Sequence, residues 1–329
     1  MPRLAGWLAA LALTGCAHAG DGVMTLTLER TIELPNVAGR IDHLAIDPQH
    51  QRLAVAELGN NSVDVIDIAS GKVLHRIEGV GEPQGLAFTA EGGSLLVASR
   101  SDGGLHIYDT IGFELAATIP LGEDADNIRI DPRNGHAVIG YGDGALAVVD
   151  VEERTVLARI ELGAHPEGFQ IDARDGRAYV NLPDARVIGV VDLDRATVLS
   201  RWKLPLALFN YPMALDPAGR SLVSVFRAPS RLVQFDRSTG KETTSASTCG
   251  DADDVFYDAP RKRIYIACGD GGIDVFDNSG ASLKWAAHAA TRSGARTALF
   301  DPVLDRLFVA ARSTASDKPA AILVFKPVD

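Results

Sequence analysis

The chain repeats itself. A residue closing a short apolar run recurs at Asp47, Thr89, Asp131, Asp172, Asp216, Asp258 and Asp301, with successive gaps of 42, 42, 41, 44, 42 and 43 residues. A second series, Asp67, Asp109, Asp150, Asp192, Asp236 and Asp277, keeps step with the first. Each unit, as in "HLAIDPQHQRLAVAELGNNSVDVIDIASGKVLHRIEG" (43–79), reads as four short apolar runs divided by turn residues.

A period near 42 with four strands per unit matches a propeller blade. Helical solenoids are excluded, because the runs alternate or are wholly apolar and β-branched instead of following a 3.6-residue period. Runs such as "ALAVVDV" (145–151) and "RVIGVVDL" (186–193) are apolar on both faces, as a sheet sandwiched between neighbours requires. The seventh unit supplies only three strands, "TALFD", "RLFVAA" and "AILVFK", before the chain ends. The N-terminal "TLTLERTIELP" (25–35) parallels the fourth strands "ARIEL" and "ATIPL". The expected fold is therefore all-β: a seven-bladed β-propeller of four-stranded antiparallel blades, closed by the N-terminal strand joining the last blade.

The first residues carry one cation, Arg3, and an apolar run from Leu4 to Leu13. That run is too short to span a bilayer and has the build of a secretory signal. Leu13-Thr14-Gly15-Cys16 resembles a lipobox, with Cys16 as the lipidated residue, whereas Ala17-His18-Ala19 offers ordinary signal peptidase a site before Gly20. The lipobox is the favoured of the two. Residues 1–19 are thus expected to be a signal peptide and 20–329 a single propeller domain in the periplasm or cell envelope, touching membrane only through a lipid anchor. Export leaves Cys249 and Cys268 as an even pair in an oxidising compartment, and a disulfide is the simplest reading. With a net charge of -11 and no Lys/Arg-rich run, nucleic acid is excluded as a partner.

The phrases "GRIDHLAIDP", "RLAVAELGNNSVDVID", "GDADDVFYDAPRKRIYIACGDGGIDVF" and "GARTALFDP" resemble the YVTN-repeat or YncE-like β-propeller proteins of bacterial envelopes, over roughly residues 25 to 326. The resemblance implies seven blades and export. It implies no particular chemistry, since most members have no assigned activity.

The innermost strand of a blade begins beside the central channel. Five residues before each first anchor stand Asp42, Gln84, Asp126, Glu167, Tyr211, Asp253 and Arg296, polar in every blade, whereas the positions three and one before it are apolar. Strands entering a core from a solvated mouth must switch in this way, because unpaired polar groups are costly to bury. A rim needs only hydrophilic groups, yet this one also gathers His43, Asn127 and Asp254, all metal-ligand or acid/base types. Connections between second and third strands should add Arg100, Tyr141, Asn181, Arg227 and Arg312 on the same face.

Three readings stay open: a salt-bridged network without a ligand, a site for a small molecule or an envelope protein, and an active site. Asp42, Asp126, Glu167 and Asp253 are the candidate metal ligands, and an oxygen set of this kind suits Ca²⁺ or Mg²⁺. Zn²⁺ would need more imidazole than His43 and His165 supply. Motifs for haem attachment, serine hydrolysis and phosphate-loop chemistry are all missing from the sequence. The enzymatic alternative is a divalent-metal-dependent hydrolase of lactonase type, resting on analogy of fold alone. A non-catalytic scaffold in an envelope assembly, the function that a mouth without a ligand would leave, is the other alternative.

Overall fold

The computed structural model describes residues 25–204, 208–314 and 318–329. The expected leader and Cys16 lie outside them. Among the described residues the chain forms 28 strands and one 3₁₀ turn, Leu58–Asn60. The strands make seven four-stranded sheets, each antiparallel and in simple meander order. No helix there is long and apolar enough to cross a membrane.

The inner strands of blades 1 to 7 are Leu44–Asp47, Pro83–Phe88, Ala125–Ile130, Phe169–Asp172, Leu208–Leu215, Ala252–Asp258 and Ala298–Asp301. Each contacts the next, and the first contacts the seventh, so the ring closes. The closing blade takes three strands from the C-terminal end and its outer strand, Leu26–Glu33, from the N-terminal end, with Ile32 opposite Ile322.

The anchors of the repeat are turn formers. Asp131, Asp172 and Asp216 each accept the backbone N–H two residues on, at 2.9–3.0 Å, and Asp47 and Asp258 that of the third residue on. The second series does the same at the third strand's end, with Asp67 accepting from Ser70 and Asp150 from Glu153. A short carboxylate that captures the turn's own amides is what stops a strand and reverses it. The spacing seen in the sequence is therefore the spacing of turns.

The core is divided into seven clusters, one between each pair of adjacent blades. In the strand Arg263–Cys268, Ile264, Ile266 and Cys268 pack toward blade 5 while Tyr265 and Ala267 pack toward blade 7. The period of two serves two apolar faces at once, which is why these runs carry no polar side. Outer-strand arginines add tethers between blades: Arg76 reaches Pro35 O, Arg159 Leu121 O and Arg201 Leu162 O, at 2.7–3.0 Å.

Every outermost strand carries a register shift against its neighbour. The skipped residue, such as Leu74, Leu157 or Leu199, turns outward and is about half exposed.

Cys249 and Cys268 form the expected disulfide, with Cα atoms 5.9 Å apart and a sequence separation of 19. Replacing both with serine is expected to lower unfolding free energy by roughly 3 kcal/mol, the loop-closure entropy of a span this long. Urea melts of variant and parent check this, and coincident midpoints would contradict it.

Candidate ligand-binding site at the channel mouth

Five inner-strand entries converge on a polar recess of about 50 Å³, lined by Asp42, His43, Asp126, Asn127, Arg129, Glu167, Tyr211, Asp253 and Asp254 among others. Two local devices bring adjacent side chains into it. In a regular strand, neighbours point to opposite faces, but the pairing is irregular between Ala125 and Ile128 and between Ala252 and Asp254. Such bulges re-aim a side chain, so Asp126 and Asn127 both line the recess, as do Asp253 and Asp254. Glycines set the spacing of the strands. A Cβ on Gly85 would lie 2.0 Å from Asp126 O, and one on Gly168 2.5 Å from Tyr211 O.

The charges are heavily cross-linked. Asp253 is held through both oxygens, one by Arg227 and the other by Arg296 Nε at 2.7 Å. Arg227 lies over the Tyr211 ring at 4.1 Å and donates from Nε to Ala252 O at 3.0 Å. Asp251, on the loop just before, contacts Arg227 at 3.3 Å and Arg296 at 2.9 Å. Asp126 sits between two imidazoles, with His43 Nε2 and His165 Nε2 each 3.8 Å away. His165 donates from Nδ1 to Gly142 O at 2.6 Å, which aims its other nitrogen at Asp126.

Contact with Asp126, followed by the bond to Gly142, raises His165 to about 9. Burial alone would depress His43, but Asp42, Asp254 and Asp126 outweigh it, and its pKa rises. Burial pushes the Glu167 carboxyl up to about 8, with Asp126 adding repulsion. It pushes Asp254 up to about 7 despite the N–H that Ala298 donates at 2.8 Å. Asp42 is raised by burial first, then by Asp126 and Asp253. Arg129, half-buried over the Phe169 ring, is lowered by desolvation.

Two buried acceptors at this recess are left unfilled. Asn127 is 3% exposed and Asp42 2%, yet Asn127 Oδ1 and Asp42 Oδ2 accept no hydrogen bond. Asp42 Oδ2 lies 3.0 Å from Arg40 Nη2, a charge contact without hydrogen-bond geometry. The Glu167 carboxyl likewise has no hydrogen-bond partner among the described residues.

Other expected mouth residues lie elsewhere. Asn181 is fully buried within the strand Arg177–Leu182, donating to Tyr211 O at 2.9 Å and Ser224 Oγ at 3.2 Å, so it ties blade 4 to blade 5. Gln84 is buried below the rim, 3.4 Å from Ala125 O. Arg100 stands outside, paired with Asp124 at 3.3 Å. Tyr141 accepts from Arg159 on an outer strand. Arg296 and Arg312 border a second cavity beside the recess, together with Arg40 and Asp251. Arg40, Arg129 and Asp251 belong to the mouth although the ring of positions five before the anchor omits them.

The oxygen set does not fit a divalent ion. Asp253 is taken by two guanidiniums, Asp126 faces two imidazoles and Asp42 faces Arg40. Among the described residues no three His, Cys, Asp or Glu side chains are grouped so as to hold a metal.

No family model matches the sequence, and no curated protein does. Solved structures do. A chain of the mitotic checkpoint complex superposes with a TM-score of 0.77 at 16% identity, covering 100% of this chain and 99% of its own. A chain of the hydrazine synthase of Kuenenia stuttgartiensis gives 0.74 at 16% identity, with 88% and 97% covered. At such identity the likeness is one of fold. The chain is a seven-bladed β-propeller.

Proposed function

We propose that this is an exported, non-catalytic binding protein of the YVTN-repeat type, whose channel mouth receives the primary ammonium of a small molecule. The observation that carries the reading is the pair of buried acceptors without a hydrogen bond, Asn127 Oδ1 and Asp42 Oδ2, beside the half-buried Glu167 carboxyl around one recess. A buried acceptor without a donor is costly, and an ammonium brings three N–H donors and no acceptor. The recess, about 50 Å³, suits a headgroup of that size. The leader and its lipobox support export and anchoring.

Methylammonium chloride is the probe, read by its effect on melting temperature against sodium chloride at equal ionic strength. The parent should show a saturable rise. Asn127→Leu and Asp42→Asn should weaken the midpoint about tenfold or more, as loss of a hydrogen bond to a charged group implies. An identical response in parent and both variants, or no saturable response, would refute the ammonium reading and favour a scaffold. Binding should also expel a proton from Glu167 below its pKa near 8, which calorimetry in buffers of different ionisation enthalpy detects.

A further inference from the structure

Beside the ammonium recess lies a cavity of about 80 Å³ lined by Arg40, Ile41, Asp251, Gly294, Arg296, Ala310 and Arg312. Three guanidiniums facing one small space repel each other unless an anion joins them. Asp251 does not discharge all three, because it is bound to Arg227 and Arg296. Arg40 spends Nη2 on Asp42, while its buried Nε has no acceptor. Arg312 has no hydrogen-bond or ion-pair partner among the described residues. The cavity lining itself holds three guanidiniums (Arg40, Arg296, Arg312) and one carboxylate (Asp251), a local positive excess on a chain whose net charge is -11.

The backbone makes room for this arrangement. Gly294 has φ +82, and a Cβ there would come within 2.5 Å of Arg312 Nε. Any side chain at 294 would displace the guanidinium that now lies over it.

We propose that Arg40, Arg296 and Arg312 form a subsite for a compact oxyanion, a carboxylate or a phosphate, held by the forked donors that arginine presents to such groups. The subsite adjoins the ammonium recess through Arg40, which borders both. If the ammonium reading also holds, the ligand carries a cation and an anion on one short frame. The oxyanion subsite stands without it.

The probes are sodium acetate and inorganic phosphate, titrated at constant ionic strength with chloride as the balancing anion and read by isothermal calorimetry and melting temperature. The parent should bind at least one saturably. Arg312→Ala should weaken that binding about tenfold, the loss expected for a charge-assisted bond. Gly294→Ala should do so too, while Arg312→Lys should restore part of it. Asn127→Leu should leave oxyanion binding unchanged. Acetate preferred over phosphate identifies a carboxylate ligand, and the reverse a phosphate. No saturable binding of either, or equal binding by parent and Arg312→Ala, overturns the subsite. Methylammonium binding that survives that result leaves the recess standing, and loss of the ammonium response alone leaves the subsite standing.

Discussion

Deleting the segment that includes Leu26–Glu33 should abolish the cooperative unfolding transition of the protein. That strand completes the last blade from the other end of the chain, pairing along Ala321–Pro327 from Leu26 opposite Pro327 to Glu33 opposite Ala321. It buries Leu26 and Ile32, and the chain continues into fully buried Leu34. Each of these side chains contributes about 1.5–3 kcal/mol, a large fraction of the 5–15 kcal/mol that holds an ordinary domain together. The loss also bares the strand Ala321–Pro327 as a hydrogen-bonding edge. The deletion variant should therefore aggregate or melt without a sharp transition, as followed by near-ultraviolet circular dichroism. Appending the same segment after Asp329 through a flexible linker should rescue it, because closure depends on the strand being present and not on which end delivers it. A deletion variant that melts sharply within a few degrees of the parent would show the ring to be dispensable.

The second large effect is with pH. Four groups bind protons more tightly in the fold than their ordinary values allow: Glu57 and Glu167 at about 8, Asp254 at about 7 and His165 at about 9. Burial is the leading cause for the three carboxyls. Glu57 is fully enclosed beside Asp64, whose oxygens are both bound by Arg76 at 2.6 Å. Where a folded pKa is raised, the folded chain keeps a proton that the unfolded chain has released, so stability falls as pH climbs between the two values. The carboxyl windows open near 4 and close near 7 to 8, and the imidazole window runs from about 6.5 to 9. All four act in the same direction.

Aspartates such as Asp236, lowered first by Ser238, and Asp277, lowered first by Ser279, withdraw their contribution only below their ordinary value of 3.8. Stability should thus peak in mild acid, near pH 4, and drop by several kcal/mol toward pH 8, on the scale of about 1.4 kcal/mol per pKa unit. Urea melts across that range measure it. Glu57→Gln together with Glu167→Gln should flatten the decline, and a parent whose stability rises from pH 5 to pH 8 would contradict the whole account.

The architecture was legible because its cause is local. An aspartate that captures turn amides has to recur wherever a strand reverses, so counting such residues counted the blades. The mouth was legible only in part. The polar ring five residues before each anchor led to Asp42, Asp126, Glu167 and Asp253, which the structure places around one recess. The same period of two, carried outward one step, reaches Arg40, His165 and Asp251, all now seen to be charge partners of that ring, and Asp124, which accepts from Gln84. Arg129 lies off that period, two residues beyond Asn127 in the strand Ala125–Ile130, so stepping inward from Asp126 passes over it to Ile128 and Ile130. Asn127 and Asp254 were named at the mouth from their residue type, although alternation assigns them to the face opposite their neighbours; the bulges are what bring them into the recess. Asn181 was placed on the rim by an underestimated strand: Arg177–Leu182 runs one residue beyond it, which makes Asn181 a rung of the ladder.

The seven interrupted outer strands bear on how these molecules tolerate crowding. A disc with seven flat margins would offer its neighbours seven templates for main-chain pairing and could grow sideways without limit. Here each margin is kinked at one position, so the run of free amides and carbonyls facing outward is too irregular for a second disc to zip against. The irregular perimeter thus discourages main-chain pairing at the rim and leaves the axial opening to the recognition proposed above.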